Sequence, residues 1–379
     1  MEKRQIKLGL LGFGSMGRTH AWAVRNLPFF CGENLPFSAS VAGVCTTSPE
    51  KSARVCASFG IPRFFENEDE LIGDPGIDVV DICTPNNCHF SAVRKAILAG
   101  KSLLCEKPLG VSPREAGELL ALARNKKSVC GMVFNNRWLT ATLRAKQLID
   151  EGALGRILRF RASYLHNSCL DPARTVGWKQ DRTICGGGVL FDLGSHVIDL
   201  MSHLCGAFAQ VGGHSQIAFP THKAADGSLW QTNADEAFDL YAVTVGGAHG
   251  TVSVSKISQG ANDDLSFEIS GEKGALKFSL MEPNWLYFYD AAQSGSPYGG
   301  TRGFTRIECV GRYTEWVFPS PKAPVGWLYG HLESMRAFLT AVSRGTPFSP
   351  SLEEGAYVQR VMDAAYRSDA AGGVLTEVL

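Results

Sequence analysis

The stretch "IKLGLLGFGSMGRTHAWAV", Ile6 to Val24, decides the fold. Ile6, Leu8 and Leu10 alternate as in a strand, and Gly12-x-Gly14-x-x-Gly17 then opens a segment with helical spacing. In such a strand-turn-helix unit the first glycine permits the tight turn and the second lets backbone approach a pyrophosphate. The third lets the helix pack closely on the strand. Gly12, Phe13, Gly14, Ser15, Met16 and Gly17 are therefore candidate dinucleotide-binding residues. Glycine is common in the chain, 41 residues, so the strand before and the helix after are what give the motif weight.

Working outward, "SASVAGVC" is strand-like, "SPEKSARVCASFG" helical, "IDVVDICTP" a buried strand, "CHFSAVRKAILAG" a helix and "KSLLCEKP" a further strand. This order predicts a parallel α/β sheet, a Rossmann domain, closing after "SVCGMVF". Ser112-Pro113-Arg114-Glu115 has the signature of a capping box. Beyond it, "RILRFRASY", "AFDLYAVTV", "GTVSVSKIS", "LSFEIS", "ALKFSL" and "WLYFYD" alternate with short turns, which favours antiparallel pairing. The expected division is residues 1–134 for dinucleotide binding and 135–379 for substrate binding and oligomerisation, a length that suits two domains. Two helices are expected over Gly330 to Leu379, with Pro347 and Pro350 between them.

The second strand ends in Cys45-Thr46-Thr47-Ser48 with Lys51 nearby, and no acid stands where NAD's ribose hydroxyls would need one. Small hydroxyls and a cation could take the extra phosphate of NADP, which tilts the cofactor from NAD toward NADP. Equally, Ser48 is a helix cap and Lys51 a solvated charge.

Composition excludes other classes. Zero formal net charge argues against a nucleic-acid footprint. No apolar run of membrane-spanning length and no signal peptide are read, so no membrane is expected and the cytoplasm is the expected location. Eleven cysteines, scattered and without a C-x-x-C pair, fit reduced thiols.

Three segments, "TPNNCH" (Thr84 to His89), "AGKSLLCEKPLG" with Glu106-Lys107-Pro108, and "GGGVLFDLGSHVIDL", together with the glycine turn, make the chain resemble the Gfo/Idh/MocA oxidoreductases over nearly its whole length. The resemblance implies a Rossmann domain followed by an α/β domain with a large open, mainly antiparallel sheet. It also implies hydride transfer between a nicotinamide and a sugar, polyol or glycoside, and a homo-oligomer, dimer or tetramer, whose neighbouring subunit covers the sheet.

Oxidising an alcohol needs a proton acceptor and a nearby cation. Lys107 follows the carboxyl end of a parallel strand, where ligands bind; position alone favours a solvated charge, and the resemblance implies a lysine that stabilises the alkoxide. His196 suits proton acceptance at neutral pH, and Asp192 lies one helical turn before it, so both reach one substrate or Asp192 orients the imidazole. Without the resemblance, a first-turn aspartate beside a core histidine is the blander reading. By resemblance, Thr84, Pro85 and Asn86 lie near the nicotinamide, while His89 is either a cofactor contact or merely a helix-start residue. Glu106, Asn136, Arg137, Trp178 and Lys179 match family positions around cofactor and substrate. Asp192, His196, Asp199 and His203 fall on one helical face, but a row extending about 16 Å cannot close on one ion. No metal is expected, and Asp199 and His203 are read as structural.

The aperiodic segment Ala291 to Trp327 carries Tyr298, Phe304, Tyr313, Trp316, Phe318 and Trp327. It is either an oligomer-binding arm or a set of rings stacking on a large substrate. The competing functions are a glycoside-cleaving enzyme that uses bound NAD transiently and a non-catalytic cofactor sensor.

Overall fold

Strand β1 (Arg4–Leu11) alternates only at its start and is then continuously buried, as a central parallel strand with both faces covered must be. In the computed structural model, which describes residues 3–379 apart from 172, 173 and 312, it leads into α1 (Ser15–Cys31). Helix α1 buries His20, Ala23, Val24, Leu27, Phe30 and Cys31, a three-and-four spacing that makes one inward stripe. There follow β2 (Phe37–Cys45), α2 (Pro49–Phe59), α3 (Glu68–Gly73), β3 (Val79–Ile82), α4 (Asn86–Leu98), β4 (Ser102–Glu106), α5 (Pro113–Ala123) and β5 (Cys130–Val133). The five strands pair in parallel in the order β2-β1-β3-β4-β5, which places a topological switch point beside β1, where ligands bind in such sheets. The expected Rossmann domain is thus observed. The box at Ser112 differs in one detail: Ser112 Oγ accepts from Glu115 N, but the Glu115 carboxylate accepts from Val111 N at 2.9 Å, one residue before the cap.

The chain continues through α6 (Thr140–Asp150), β6 (Ile157–Leu165), α7 (Arg182–Cys185), α8 (Ser195–Cys205), β7 (Phe208–Gln216), β8 (Thr221–Lys223), β9 (Leu229–Gln231), β10 (Ala237–Thr244), β11 (His249–Ser255), β12 (Asp264–Gly271), β13 (Gly274–Ser279), β14 (Trp285–Asp290) and β15 (Phe304–Glu308). It ends with α9 (Trp327–Arg344), α10 (Leu352–Ala370) and β16 (Thr376–Glu377). Nine strands form the second sheet, β15-β14-β13-β12-β6-β11-β10-β7-β16, antiparallel throughout except for the parallel β6–β11 pair. This is the open, mainly antiparallel sheet expected. The run Arg182–Cys205, contrary to the sequence reading, is long and apolar enough to cross a membrane, but most of it is buried within the protein, as a core helix is.

Two compact units result: Met1–Trp138 with Tyr313–Ala323 and Trp327–Tyr357, and Leu139–Arg312 with Pro324–Gly326 and Val358–Leu379. The sequence division assigned everything after 134 to the second domain, whereas 313–323 and 327–357 pack with the first unit. The reason is the apolar stripe of α1, which α9 helps to bury: Leu332, Met335, Phe338 and Leu339 of α9 join Ala23, Val24, Leu27 and Phe30 in one core. Trp316 lies edge-on to Phe30, with ring centroids 4.8 Å apart, and Tyr313, stacked on Trp316, donates its hydroxyl to the Trp138 carbonyl. These two rings are therefore packing residues and are not offered to a ligand, which corrects the stacking idea at Tyr313 and Trp316. Phe304, in turn, opens edge strand β15.

Candidate active site

In the first unit, the glycine turn is built as its chemistry requires. Gly12 has φ +88°, and a Cβ there would lie 2.5 Å from the Cys83 carbonyl oxygen, while one at Gly17 would lie 2.4 Å from the Gly12 carbonyl oxygen. A Cβ at Gly14 meets nothing within 4 Å, so open space faces the backbone where a pyrophosphate would approach. Phe13 is buried beside Phe59, which leaves only its backbone for a ligand, and Ser15 and Met16 begin α1. At the end of β3, the Thr84 hydroxyl is buried without a hydrogen-bond partner among the described residues. An open glycine cradle and an unsatisfied hydroxyl at the switch point fit a dinucleotide. Gly14→Val is accordingly expected to leave the melting temperature unchanged while weakening nicotinamide binding about tenfold, or about 1.4 kcal/mol, by titration. An equal loss of stability would show that Gly14 serves the fold instead.

At the tip of β2, Cys45 is buried, and Thr46 Oγ1 is engaged with the Ser48 carbonyl and with Ser52 Oγ. Ser48 Oγ accepts from Lys51 N, the helix-cap alternative, which leaves Thr47 and the Lys51 side chain exposed. His89 is fully buried, with ring nitrogens 2.7 Å from the Pro108 carbonyl and 2.9 Å from that of Thr84, and burial lowers its pKa. It fastens the Thr84 and Pro108 backbones together and does not reach a ligand itself, a correction to its placement among cofactor contacts. Asn86 starts α4 and is buried.

Lys107, half-buried, follows Glu106 at the carboxyl end of β4, and its backbone N–H donates to Glu106 Oε2 at 3.3 Å. Beneath it lies a charge network that the sequence reading missed. His20 Nδ1 is 2.9 Å from Asp81 Oδ1 and its Nε2 is 3.3 Å from Glu106 Oε1, and all three side chains are buried. Burial opposes a charged His20, but Asp81 prevails and raises its pKa well above the usual value. Burial likewise pushes Glu106 upward, and His20, His331 and Lys107 overcome it, holding the carboxyl at about 2. Donor atoms of His20, Glu106 and His331 lie within 4.8 Å of one another, as do those of His20, Asp81 and Cys83. Asn136 is buried, and Arg137, 6% exposed, forms a 2.6 Å ion pair with Glu354. Through Nη1, Arg137 thus holds the start of α10.

In the second unit the glycine triplet has a structural cause. A Cβ at Gly188 would lie 2.1 Å from the Asp235 carbonyl oxygen, and the Asp235 carboxylate accepts from the N–H groups of Gly188 and Leu190 and from the Tyr366 hydroxyl. From this anchor the chain runs through a π-helical turn, Leu190–Gly194, into α8. The regular helix expected from the spacing is thus widened at Asp192, as π turns often are at functional sites. Asp192 lies between two lysines: Lys179 Nζ is 2.8 Å from Oδ1 and Lys256 Nζ is 3.1 Å from Oδ2. Lys179 also lies over the face of Trp178.

His196 is half-buried, its ring edge-on to Tyr164 with centroids 5.9 Å apart. The Tyr164 hydroxyl and His166 Nε2 both bind Asp263 Oδ1, which keeps the Asp263 carboxyl low against the effect of burial. Asp199 is buried within α8, as a structural residue would be. Of the residues the sequence reading missed, Lys256 had a visible signal: it stands in register with buried Val252 and Val254, where a lysine is out of place. Tyr164, His166 and Asp263 had none, since strand pairing brings them together over about a hundred residues.

Residues 6–134 match the model of an oxidoreductase family with an NAD-binding Rossmann fold, and residues 142–277 match a GFO/IDH/MocA C-terminal domain. The chain belongs to the Gfo/Idh/MocA oxidoreductases and is a nicotinamide-dependent enzyme that transfers hydride at a CH–OH carbon. It is 30% identical to levoglucosan dehydrogenase of Pseudarthrobacter phenanthrenivorans over 97% of each chain. It is 28% identical to scyllo-inositol 2-dehydrogenase (NAD(+)) of Bacillus subtilis over 72% of this chain and 74% of that one. A solved levoglucosan dehydrogenase in complex with NADH and levoglucosan superposes with a TM-score of 0.94 at 29% identity, covering 99% of this chain and 100% of that one.

Proposed function

We propose that this enzyme reversibly oxidises a ring hydroxyl of a sugar, polyol or glycoside with NAD. The observation that carries the reading is the likeness to levoglucosan dehydrogenase, which runs through both domains and the full length of both chains. When bound, the nicotinamide supplies the hydride acceptor. Lys107 donates a hydrogen bond to the reacting oxygen and stabilises the developing alkoxide. His196 accepts the hydroxyl proton, a general-base role open to an imidazole. Asp192, an acceptor held among lysines, orients a substrate hydroxyl. Thr84, Pro85, Asn86 and the glycine turn hold the cofactor. We take NAD over NADP because Thr46 and Ser48, the hydroxyls suited to an extra phosphate, are engaged within their own turn.

A homo-oligomer belongs to the same reading. The open face of the nine-stranded sheet carries Arg161, Asp239, Tyr241, Glu268 and Lys277 around a hollow of about 1070 Å³, a surface a second copy would cover. Light scattering on the purified protein tests this, and a monomer at micromolar concentration contradicts it. Cytoplasmic residence is supported by the cysteine pattern, eleven residues scattered along the chain without a C-x-x-C pair. The test of the activity is to identify any nucleotide released on denaturation and then to screen pyranoses, inositols and glycosides for a change in nicotinamide absorbance. Binding of neither NAD nor NADP would overturn the reading.

A further inference from the structure

The two lysines on Asp192 are not equivalent. Lys179 is 46% exposed, whereas the Lys256 side chain is 5% exposed. An exposed ion pair contributes little and exchanges readily, but a buried one cannot be opened without leaving a charge uncompensated. The backbone fixes Lys256 as well: its N–H donates to the Glu236 carbonyl at 2.8 Å, and its own carbonyl accepts from Cys169 N at 2.9 Å.

We infer that Lys256 is a positioning residue for the reaction, a buried cation that holds Oδ2 of Asp192 and leaves Oδ1, now on the exposed Lys179, to be handed to a substrate hydroxyl. This rests on the reading of Asp192 given above. The other titratable groups around the pair are Tyr164 on β6, Cys169, Cys185 on α7, Asp235 and, a turn along, His196. Burial pushes the Tyr164 hydroxyl up and the Cys185 thiol up to about 11, so both are neutral near pH 7. Burial works against the charge on Lys256, but Asp192 outweighs it, and the ammonium persists. Asp192 therefore keeps a permanent partner while its exposed one is exchangeable.

The test is the pH profile of kcat/KM for Lys256→Met, Lys256→Arg and Asp192→Asn, with NAD affinity measured alongside. In Lys256→Met, loss of the cation disfavours the carboxylate, so the acidic limb moves up by about one pH unit or more and kcat falls by roughly tenfold, with NAD affinity retained. Lys256→Arg restores the limb. A Lys256→Met enzyme with the parental limb and kcat overturns the inference. Should that variant not fold, Lys256→Met/Asp192→Asn, which removes both charges, is expected to regain a cooperative melt, and failure to regain it also overturns the inference. The two readings separate cleanly. Parental turnover in Asp192→Asn contradicts the role given to Asp192, whereas a dead Asp192→Asn beside an unmoved Lys256→Met contradicts only the role of Lys256.

Discussion

Lys107→Ala is expected to lower kcat by about a thousandfold while NAD affinity changes by less than about twofold, because removing one charge-stabilising donor typically costs a factor of 10² to 10³ and a proton-handling group up to 10⁴. The split follows from the local structure. The bond that fixes this peptide runs from the Lys107 backbone N–H to Glu106, so truncating the side chain leaves the end of β4 in place. The glycine turn and Thr84 are likewise untouched. Single-turnover kinetics with a substrate found by screening, together with a nicotinamide binding titration, check both halves. A lysine that served only as a solvated charge would give parental kcat.

His20→Leu is the variant expected to cost most in stability. It removes the cation between Asp81 and Glu106, two carboxylates buried at neighbouring strands, and breaking such a buried pair costs about 3–5 kcal/mol. For a unit of this size, the melting temperature should fall on the order of 10 °C. The pH dependence has a definite sign. The folded pKa of His20 is raised, so its contribution is complete below the unfolded value and is lost as pH climbs through the raised one. Glu106 is held at about 2, so its contribution is complete above the ordinary carboxyl range and is lost only as pH falls toward 2. Denaturant titrations across pH should therefore show an alkaline loss of stability in the parent that is missing from His20→Leu. A variant as stable as the parent would mean that the network is neutral or rearranges.

Local pattern carried far in this chain. Alternating burial marked strands of the second sheet, continuous apolar runs marked those of the first, and the order of strand and helix from Ile6 to Phe134 led to a parallel sheet. What escaped is what distant pairing creates. Nothing near Leu332 or Phe338 announces that α9 closes over α1, roughly three hundred residues earlier, and the rings of Tyr313 and Trp316 looked available only because their partners lay out of view. The ion pair between Arg137 and Glu354, more than two hundred residues apart, was out of view for the same reason. In the segment from Gly186 to His203, the helical stretch that carries His196 was legible from spacing. The π turn was not, since it depends on Asp235 and Tyr366 anchoring the glycines from elsewhere in the fold.

Hydride transfer from a ring carbon can be followed by isotope transfer. The enzyme is incubated with NAD and a pyranose, inositol or glycoside deuterated at each ring carbon in turn, and the mass of the reduced nicotinamide is measured. One deuteron is expected in the reduced cofactor when a single ring position is labelled, and none when the others are. Reduced nicotinamide that stays unlabelled whichever ring carbon carries deuterium, or no reduction with any member of these three classes, would contradict it.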